Sequence, residues 1–215
     1  MDLRLRPKKA FGGLHLEIYG RIVTLSFLSR GCPVTIDDRK FRELILFVAR
    51  ETEDDRSCGA TKLNKILFYA DFRAYEQLGR SITGERYQKL ERGPAPRRMV
   101  PVAEAMASEG LCAWDEQDYF GFSLRKLVPL REPDLSILSP QEIEVARRVI
   151  HELAALNATE VSDLSHRFAG WQATEIGEDI PYVTVFVDEP RPFTADELTW
   201  ALGVVDAYEA TEKAR

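Results

Sequence analysis

The residue types that most often perform catalysis or bind metals are few in this sequence and widely spaced. There are three histidines and three cysteines: His15, His151, His166, Cys32, Cys58 and Cys112. Their spacing matches no zinc-binding pattern, no paired-cysteine redox motif and no nucleophile–base signature. Gly12-Gly13 is not followed by the Gly-Lys-Ser/Thr element of a phosphate-binding loop. The sequence therefore predicts no metal site, no cofactor and no catalytic residue.

Pairs of acidic residues are the remaining candidates for acid–base chemistry. Such pairs occur at Asp54-Asp55, Glu178-Asp179 and Asp188-Glu189. All three lie in polar stretches, where solvated charge is the default interpretation, and none is placed beside a motif that would make it a glycosidase-like pair. A hydrolase with an unrecognised site remains an alternative that no sequence feature recommends.

Composition indicates a globular protein that stays in the cytoplasm. The 215 residues are 45% hydrophobic and 30% charged, with a net charge of -6. That balance supplies a core and argues against disorder, and the acidic total argues against whole-chain affinity for nucleic acid or anionic membranes. The odd, scattered cysteines predict free thiols in a reducing compartment. The longest apolar runs, such as residues 66–70, are too short to span a bilayer.

The first 34 residues differ from the rest of the chain. They begin with basic residues and lead to an apolar stretch at 22–28 that Arg21, Thr24 and Ser26 interrupt. A signal peptide fits poorly because no small-residue cleavage site follows. We interpret residues 1–33 as lying upstream of the native start, with Val34 encoded by an alternative start codon, and count residues 1–34 as an N-terminal extension outside the domain. A single domain is then predicted over residues 35–215.

The first half of that domain, residues 35–130, reads as helix, turn, helix and hairpin. The elements predicted here are a helix after Asp37-Asp38, a central helix over 62–78 with Thr61 as N-cap and Gly79 as its end, a short strand over 85–90, a turn over 92–96, a helix from Pro96 to Gly110, and a hairpin of 111–114 and 119–128 around the acidic residues 115–118. Apolar and aromatic residues cover most of the central helix, which predicts burial on two sides. This order is typical of a winged-helix-like arrangement.

The second half, residues 138–215, reads as mostly helical after a linker over 129–138. The elements predicted here are a helix from the Ser139-Pro140-Gln141-Glu142 capping box to Asn157, a short helix over 159–168 ended by Gly170, a strand over 180–187, and a final helix from about 194 to 210. The fold class is thus mainly α with a small β-hairpin (α+β), extended by C-terminal helices.

Two features could bind a macromolecule. A basic window contains Arg86, Lys89, Arg92, Arg97 and Arg98 against the single acid Glu91, whereas residues 175–197 hold seven acids and one arginine. The window could contact phosphates or an acidic protein, or the two segments could pair with each other. Trp171 is either an interface anchor or a core residue that pins the short helix.

Several segments together resemble one known family. Residues 62–71 (KLNKILFYAD) resemble the KLxKLLYYA helix of the Panacea domain family, the SocA-like antitoxins of bacteria and their phages. Residues 79–84 and the 87–96 stretch (YQKLERGPAP) resemble that family's glycine, loop, aromatic and Gly-Pro turn. Residues 138–142, 158–162, Ser165-His166 and Trp171 resemble its C-terminal half, so the likeness covers roughly residues 40–187.

The resemblance implies a protein that binds another protein and catalyses nothing. Family members neutralise diverse toxins, and SocA itself is described as an adaptor that delivers its toxin to a protease. The expected partners are therefore a cognate toxin and a cellular protease complex. We expect the toxin to contact a surface formed by Tyr87, Arg92, Pro94, Arg97 and Trp171.

A winged-helix-like DNA-binding regulator is the second hypothesis. The element order and the basic window over 86–98 favour it. The acidic total and the Gly-Pro interruption next to the expected recognition helix argue against it. DNA is therefore the less favoured partner.

Overall fold

The computed structural model describes residues 14–18, 21–25, 35–119 and 121–187. Two compact units divide the chain, and one of them comprises Val34–Glu189. In the other unit, β1 (Leu14–Ile18) and β2 (Arg21–Leu25) pair as an antiparallel hairpin. The predicted helix over 194–210 lies outside the described residues, and the predicted start at Val34 stays a prediction.

The first two helices confirm the expected order. Helix α1 (Asp38–Glu51) begins where Asp37 accepts a hydrogen bond from the Lys40 amide at 3.0 Å. Helix α2 (Ala60–Leu78) ends at Gly79, whose φ of 72° is left-handed. The prediction of Thr61 as N-cap is wrong, because α2 begins two residues earlier than predicted, with Gly59 as the N-cap. A Cβ on Gly59 would lie 2.8 Å from Leu124 Cγ, so close packing selects glycine there.

The segment after α2 is tighter than predicted. Strand β3 (Tyr87–Gln88) pairs antiparallel with β4 (Ala95–Pro96), and α3 (Met99–Ser108) follows. The predicted strand over 85–90 is therefore only two residues long. Pro96 does not open the helix because it lies opposite Tyr87 in this ladder, which continues with the bond from Arg97 N to Arg86 O at 2.8 Å.

The hairpin is confirmed, but its turn is displaced. Strands β5 (Cys112–Tyr119) and β6 (Phe122–Pro129) meet at a connection that includes Gly121, whose φ is 80°. The acidic residues 115–118 lie within β5 instead of forming the turn. Their cross-strand partners include Lys126 opposite Asp115 and Arg125 opposite Glu116, so opposite charges favour this register.

The described part of the C-terminal half contains the helices α4 (Pro140–Leu153), α5 (Ala158–His166) and α6 (Ala169–Ala173) and a 3₁₀ turn at Tyr182–Phe186, and another 3₁₀ turn at Leu135–Ile137 precedes them. The Ser139 capping box is present. Asn157 does not end α4; it caps α5 in a second capping box with Glu160. Gly170 lies inside α6 rather than ending a helix, and a Cβ there would lie 2.7 Å from Thr184 Cβ.

The predicted strand over 180–187 is wrong. The β-branched residues there form the second 3₁₀ turn, and the adjacent Asp179 makes only an isolated bridge to Gln88. Tyr182 explains the difference, because its ring packs 4.5 Å from that of Phe72 and its hydroxyl donates to Glu85 O at 2.6 Å. These core contacts replace a ladder for this segment.

Helix α2 is the hub of the Val34–Glu189 unit. It packs against α1, α4, α5, β4, β6 and the 3₁₀ turn at Tyr182–Phe186. The rings of Phe68 and Phe72 meet those of Tyr87 and Phe168 at centroid distances of 5.3 to 5.7 Å. The described part of the chain is thus mainly helical with small antiparallel strand pairs, as the α+β prediction states.

Candidate functional site

The connection between β3 and β4, residues 89–94, is held from several sides; we call it the Gly-Pro turn. Its own bond runs from Gly93 N to Leu90 O at 2.9 Å. From α5, Ser162 Oγ donates to Arg92 O at 3.1 Å. From α6, Trp171 Nε1 donates to Leu90 O at 3.3 Å.

The segment before the second 3₁₀ turn holds the other flank. Lys89 N donates to Glu178 O at 2.9 Å, and Gly177 N donates to Lys89 O at 2.8 Å. The ladder then continues with Ile180 N donating to Tyr87 O at 2.7 Å. The backbone of the turn is therefore fixed by elements that lie far apart in sequence.

Gly93 occupies a position that no other residue fits. Its φ is 90°, which L side chains rarely adopt. A Cβ there would overlap Ser165 Oγ and lie 2.7 Å from Lys65 Cε. The close approach of α2 and α5 to the turn thus requires glycine.

Lys65 of α2 reaches the turn from below. Its side chain is buried, and Nζ donates to Pro94 O at 2.8 Å. It forms no ion pair with a described carboxylate. Burial lowers the pKa of Lys65 from 10.5 to about 8.

Beside the turn, Trp171 lies between two basic side chains. The His166 ring stacks on the indole at 4.2 Å, and Lys89 Nζ lies 4.0 Å from the ring centroid. Two groups this close to one ring must occupy opposite faces. The indole is therefore held in one orientation against Leu90 of the Gly-Pro turn, and both Leu90 and Arg92 of this turn are exposed.

Four of the five predicted site residues lie in or directly beside the β3–β4 pair, and Trp171 bonds the Gly-Pro turn at Leu90 O, but the five differ in exposure. Arg92 is exposed, Arg97 and Trp171 are half-buried, and Pro94 and Tyr87 are buried. Pro94 and Tyr87 therefore shape the surface from beneath. The Tyr87 hydroxyl lies 2.7 Å from Asp71 Oδ2 and 2.9 Å from Leu67 O.

Asp71 anchors this lower layer. The Thr83 amide donates to its Oδ1 at 2.8 Å, and the Thr83 hydroxyl donates to its Oδ2 at 2.5 Å. Burial raises the pKa of Asp71 to about 6, while the hydrogen bonds from Thr83 and Tyr87 act in the opposite direction. The network joins α2 to the backbone that leads into β3.

Much of the basic window is paired within the chain. Arg97 bonds Asp179 and donates to Gly177 O at 2.5 Å. Arg98 Nη1 lies 2.6 Å from Asp38 Oδ1, and Arg98 also bonds Glu85. The basic window and the acidic segment therefore do pair, through Arg97 and also through Arg86 to Asp179 at 3.5 Å. Lys89 and Arg92 form no ion pair with a described residue.

Sequence reasoning missed Lys65 and Asp71 as parts of this site. Both lie on a helix that was predicted to be buried on two sides, and a charged residue in such a place needs a partner. That requirement was the available signal, but the sequence does not show which group supplies the partner.

Two further kinds of site were sought among the described residues, metal-binding clusters and membrane-spanning helices. In that part of the chain no group of three or more His, Cys, Asp or Glu side chains could hold a metal ion. No described helix is long and apolar enough to cross a membrane.

Comparison with known proteins identifies a family for part of the chain. The family model described as antitoxin SocA-like, Panacea domain, matches residues 63–172. This range includes most of α2, the Gly-Pro turn and Trp171. No curated protein and no solved structure is significantly similar to the chain.

Proposed function

The chain belongs to the SocA-like antitoxin family with a Panacea domain, and on that premise we propose that it neutralises a toxin by binding it directly in the cytoplasm, without catalysis. Its partner is a cognate toxin protein. The alternative mechanism, which the resemblance to SocA implies, is delivery of the toxin to a protease.

One observation supports the proposal most strongly: a surface fixed in advance around the Gly-Pro turn. Hydrogen bonds from α2, α5 and α6 hold this turn, and its exposed Leu90 and Arg92 lie beside a fixed Trp171. A rigid surface loses little conformational entropy on binding. Tryptophan and arginine are also the side chains that most often dominate the energy of protein interfaces.

Co-expression tests this function. The neighbouring gene is expressed alone and together with this chain, and we expect toxicity that the chain relieves. Arg92→Glu combined with Trp171→Ala is expected to abolish relief and co-purification, while circular dichroism and thermal unfolding still report a folded protein.

Glu104→Lys is the matched control, because Glu104 is exposed on α3, an element outside the Gly-Pro turn and outside the helices that hold it. It is expected to neutralise as the wild type does. A neighbouring gene that is not toxic, together with no stable co-purifying protein, contradicts the proposal.

DNA binding is the second candidate, because α1, α2, α3 and the β5–β6 hairpin follow in winged-helix-like order. Its weakness is α3, which would be the recognition helix. This helix contains no lysine or arginine and exposes Val100, Pro101 and Glu104. DNA affinity depends on neutralising phosphates with cations. A low-salt binding assay with the protein's own promoter is expected to show no complex at micromolar protein.

A further inference from the structure

Three lysines are buried in the described part of the chain, and they differ in what surrounds the ammonium. Lys62 Nζ lies 2.6 Å from Asp55 Oδ2 and also donates to two carbonyls of the α4–α5 connection. Lys126 Nζ donates to three carbonyls, those of Thr52, Glu53 and Asp55. Lys65 has the poorest surroundings, with a hydrogen bond to Pro94 O and no ion pair with a described residue.

Burying an ammonium with so few partners is unfavourable for stability. A methionine of similar shape would fill the same space without that cost. The question is therefore why an amino group is placed at this position. The group that it contacts is the backbone of the Gly-Pro turn.

We propose that Lys65 is the positioning residue of the toxin-binding surface: its amino group holds Pro94 O and thereby fixes the Gly-Pro turn with Leu90 and Arg92 beside Trp171. The inference rests on the proposed function, because it assigns Lys65 a role in presenting that surface. Lys65 itself is buried and touches no partner.

The packing around Gly93 supports this role. The position that a Cβ on Gly93 would take is 2.7 Å from Lys65 Cε and 3.2 Å from Lys65 Nζ, so the lysine chain lies directly against the turn backbone. Ser162 of α5 also holds the turn, at Arg92 O. The turn is thus held by both the hub helix and α5, and removing the amino group removes the bond from the hub helix.

Hydrogen exchange of the turn amides tests the positioning role without any partner. In Lys65→Met, the amides of residues 89–93 are expected to exchange about tenfold faster or more, since one net hydrogen bond is worth about that factor. Global stability is expected to stay equal or to rise. Unchanged exchange in the turn overturns the proposal.

Lys126→Met is the matched control, because it removes another buried ammonium that holds backbone carbonyls elsewhere. In Lys126→Met, amide exchange is expected to accelerate over residues 52–57 and not in the Gly-Pro turn. Acceleration in the turn by both variants to the same extent indicates a general loss of stability and overturns the proposal. Lys65→Gln serves if Lys65→Met does not fold; its uncharged side chain is shorter by one atom, and it too is expected to loosen the turn.

The role of Lys65 in toxin binding is tested with the toxin encoded by the neighbouring gene as the probe. Lys65→Met is expected to weaken its binding about tenfold or more, and Lys126→Met is not. A loosened turn with unchanged toxin affinity overturns the role in presentation. If the wild type binds no such toxin, the proposed function fails, and the exchange arm still decides whether Lys65 orders the turn.

Discussion

Buried charges on α2 are satisfied in three different ways. Lys62 has an acid partner in Asp55, and Asp71 accepts hydrogen bonds from Thr83 and Tyr87. Lys65 has neither an acid nor several acceptors. Its charged form is therefore the least well compensated of the three, which gives its titration a measurable consequence for stability.

The pH dependence of stability should reveal Lys65. Burial lowers the pKa of Lys65 from 10.5 to about 8 in the folded protein. Between those values the unfolded chain binds more protons than the native protein, so the free energy of unfolding rises with pH. Relative to Lys65→Met, the wild type is expected to gain up to about 3 kcal/mol between pH 7.5 and pH 10.5.

Urea denaturation of both proteins across this range measures the difference, because titrations shared by the two chains cancel. The gain is lost again when the pH is lowered through 8. If the free energy of unfolding varies with pH in the same way for both proteins, Lys65 remains charged in the native state or is more solvated than its position indicates.

At the scale of elements, glycines with positive φ fall into two classes. Gly79 ends α2 with a φ of 72°, and a Cβ there would meet nothing within 4 Å. Gly93 has a φ of 90°, and a Cβ there would overlap Ser165 and Lys65. The first requires glycine for backbone conformation alone, and the second requires it for conformation and space.

Alanine substitutions should separate these two requirements. Gly79→Ala is expected to cost about 1 kcal/mol, the usual penalty for a left-handed residue that is not glycine. Gly93→Ala is expected to cost at least about 2 kcal/mol more, because overpacking is added to it. Chemical denaturation of both variants provides the measurement. Equal losses would mean that α2 and α5 can move away from the turn at little cost.

The elements that the sequence predicts best are those fixed by local chemistry. The helix start at Asp37-Asp38, the Ser139 capping box and the Gly79 terminus depend on a few adjacent residues and are confirmed. The hairpin register and residues 180–187 depend on groups far away in sequence. Local polarity placed the hairpin turn at 115–118, whereas pairing with Arg125 and Lys126 keeps those acids in a strand.

The candidate site shows the same limit. Arg92 and Trp171 could be selected from composition, and the structure places Trp171 against Leu90, in the same turn as Arg92. Tyr87 was expected on the surface, yet its hydroxyl bonds Asp71 in the core. Whether an aromatic residue in a basic window faces outwards depends on the helix beneath it, which the window itself does not encode.

At the scale of the whole molecule, charge is balanced locally despite the total of -6. Asp179 pairs with both Arg86 and Arg97, and Glu85 pairs with Arg98. These arginines tie distant segments together instead of presenting positive charge. Arg92 is left to act outwards, so the two kinds of arginine should respond differently to removal.

Arg92→Ala and Arg97→Ala should therefore have opposite profiles. Arg97→Ala is expected to lower the free energy of unfolding by about 1 to 2 kcal/mol, because Asp179 and Gly177 O lose a charged donor. Arg92→Ala is expected to stay within about 0.5 kcal/mol of the wild type, as exposed substitutions usually do. For toxin affinity the order reverses, with Arg92→Ala the more harmful. Thermal unfolding measures the stability of both variants, and a binding titration on the same preparations measures their toxin affinity. If Arg97→Ala is fully folded and yet loses more affinity than Arg92→Ala, the toxin contacts the Asp179 side of the turn instead.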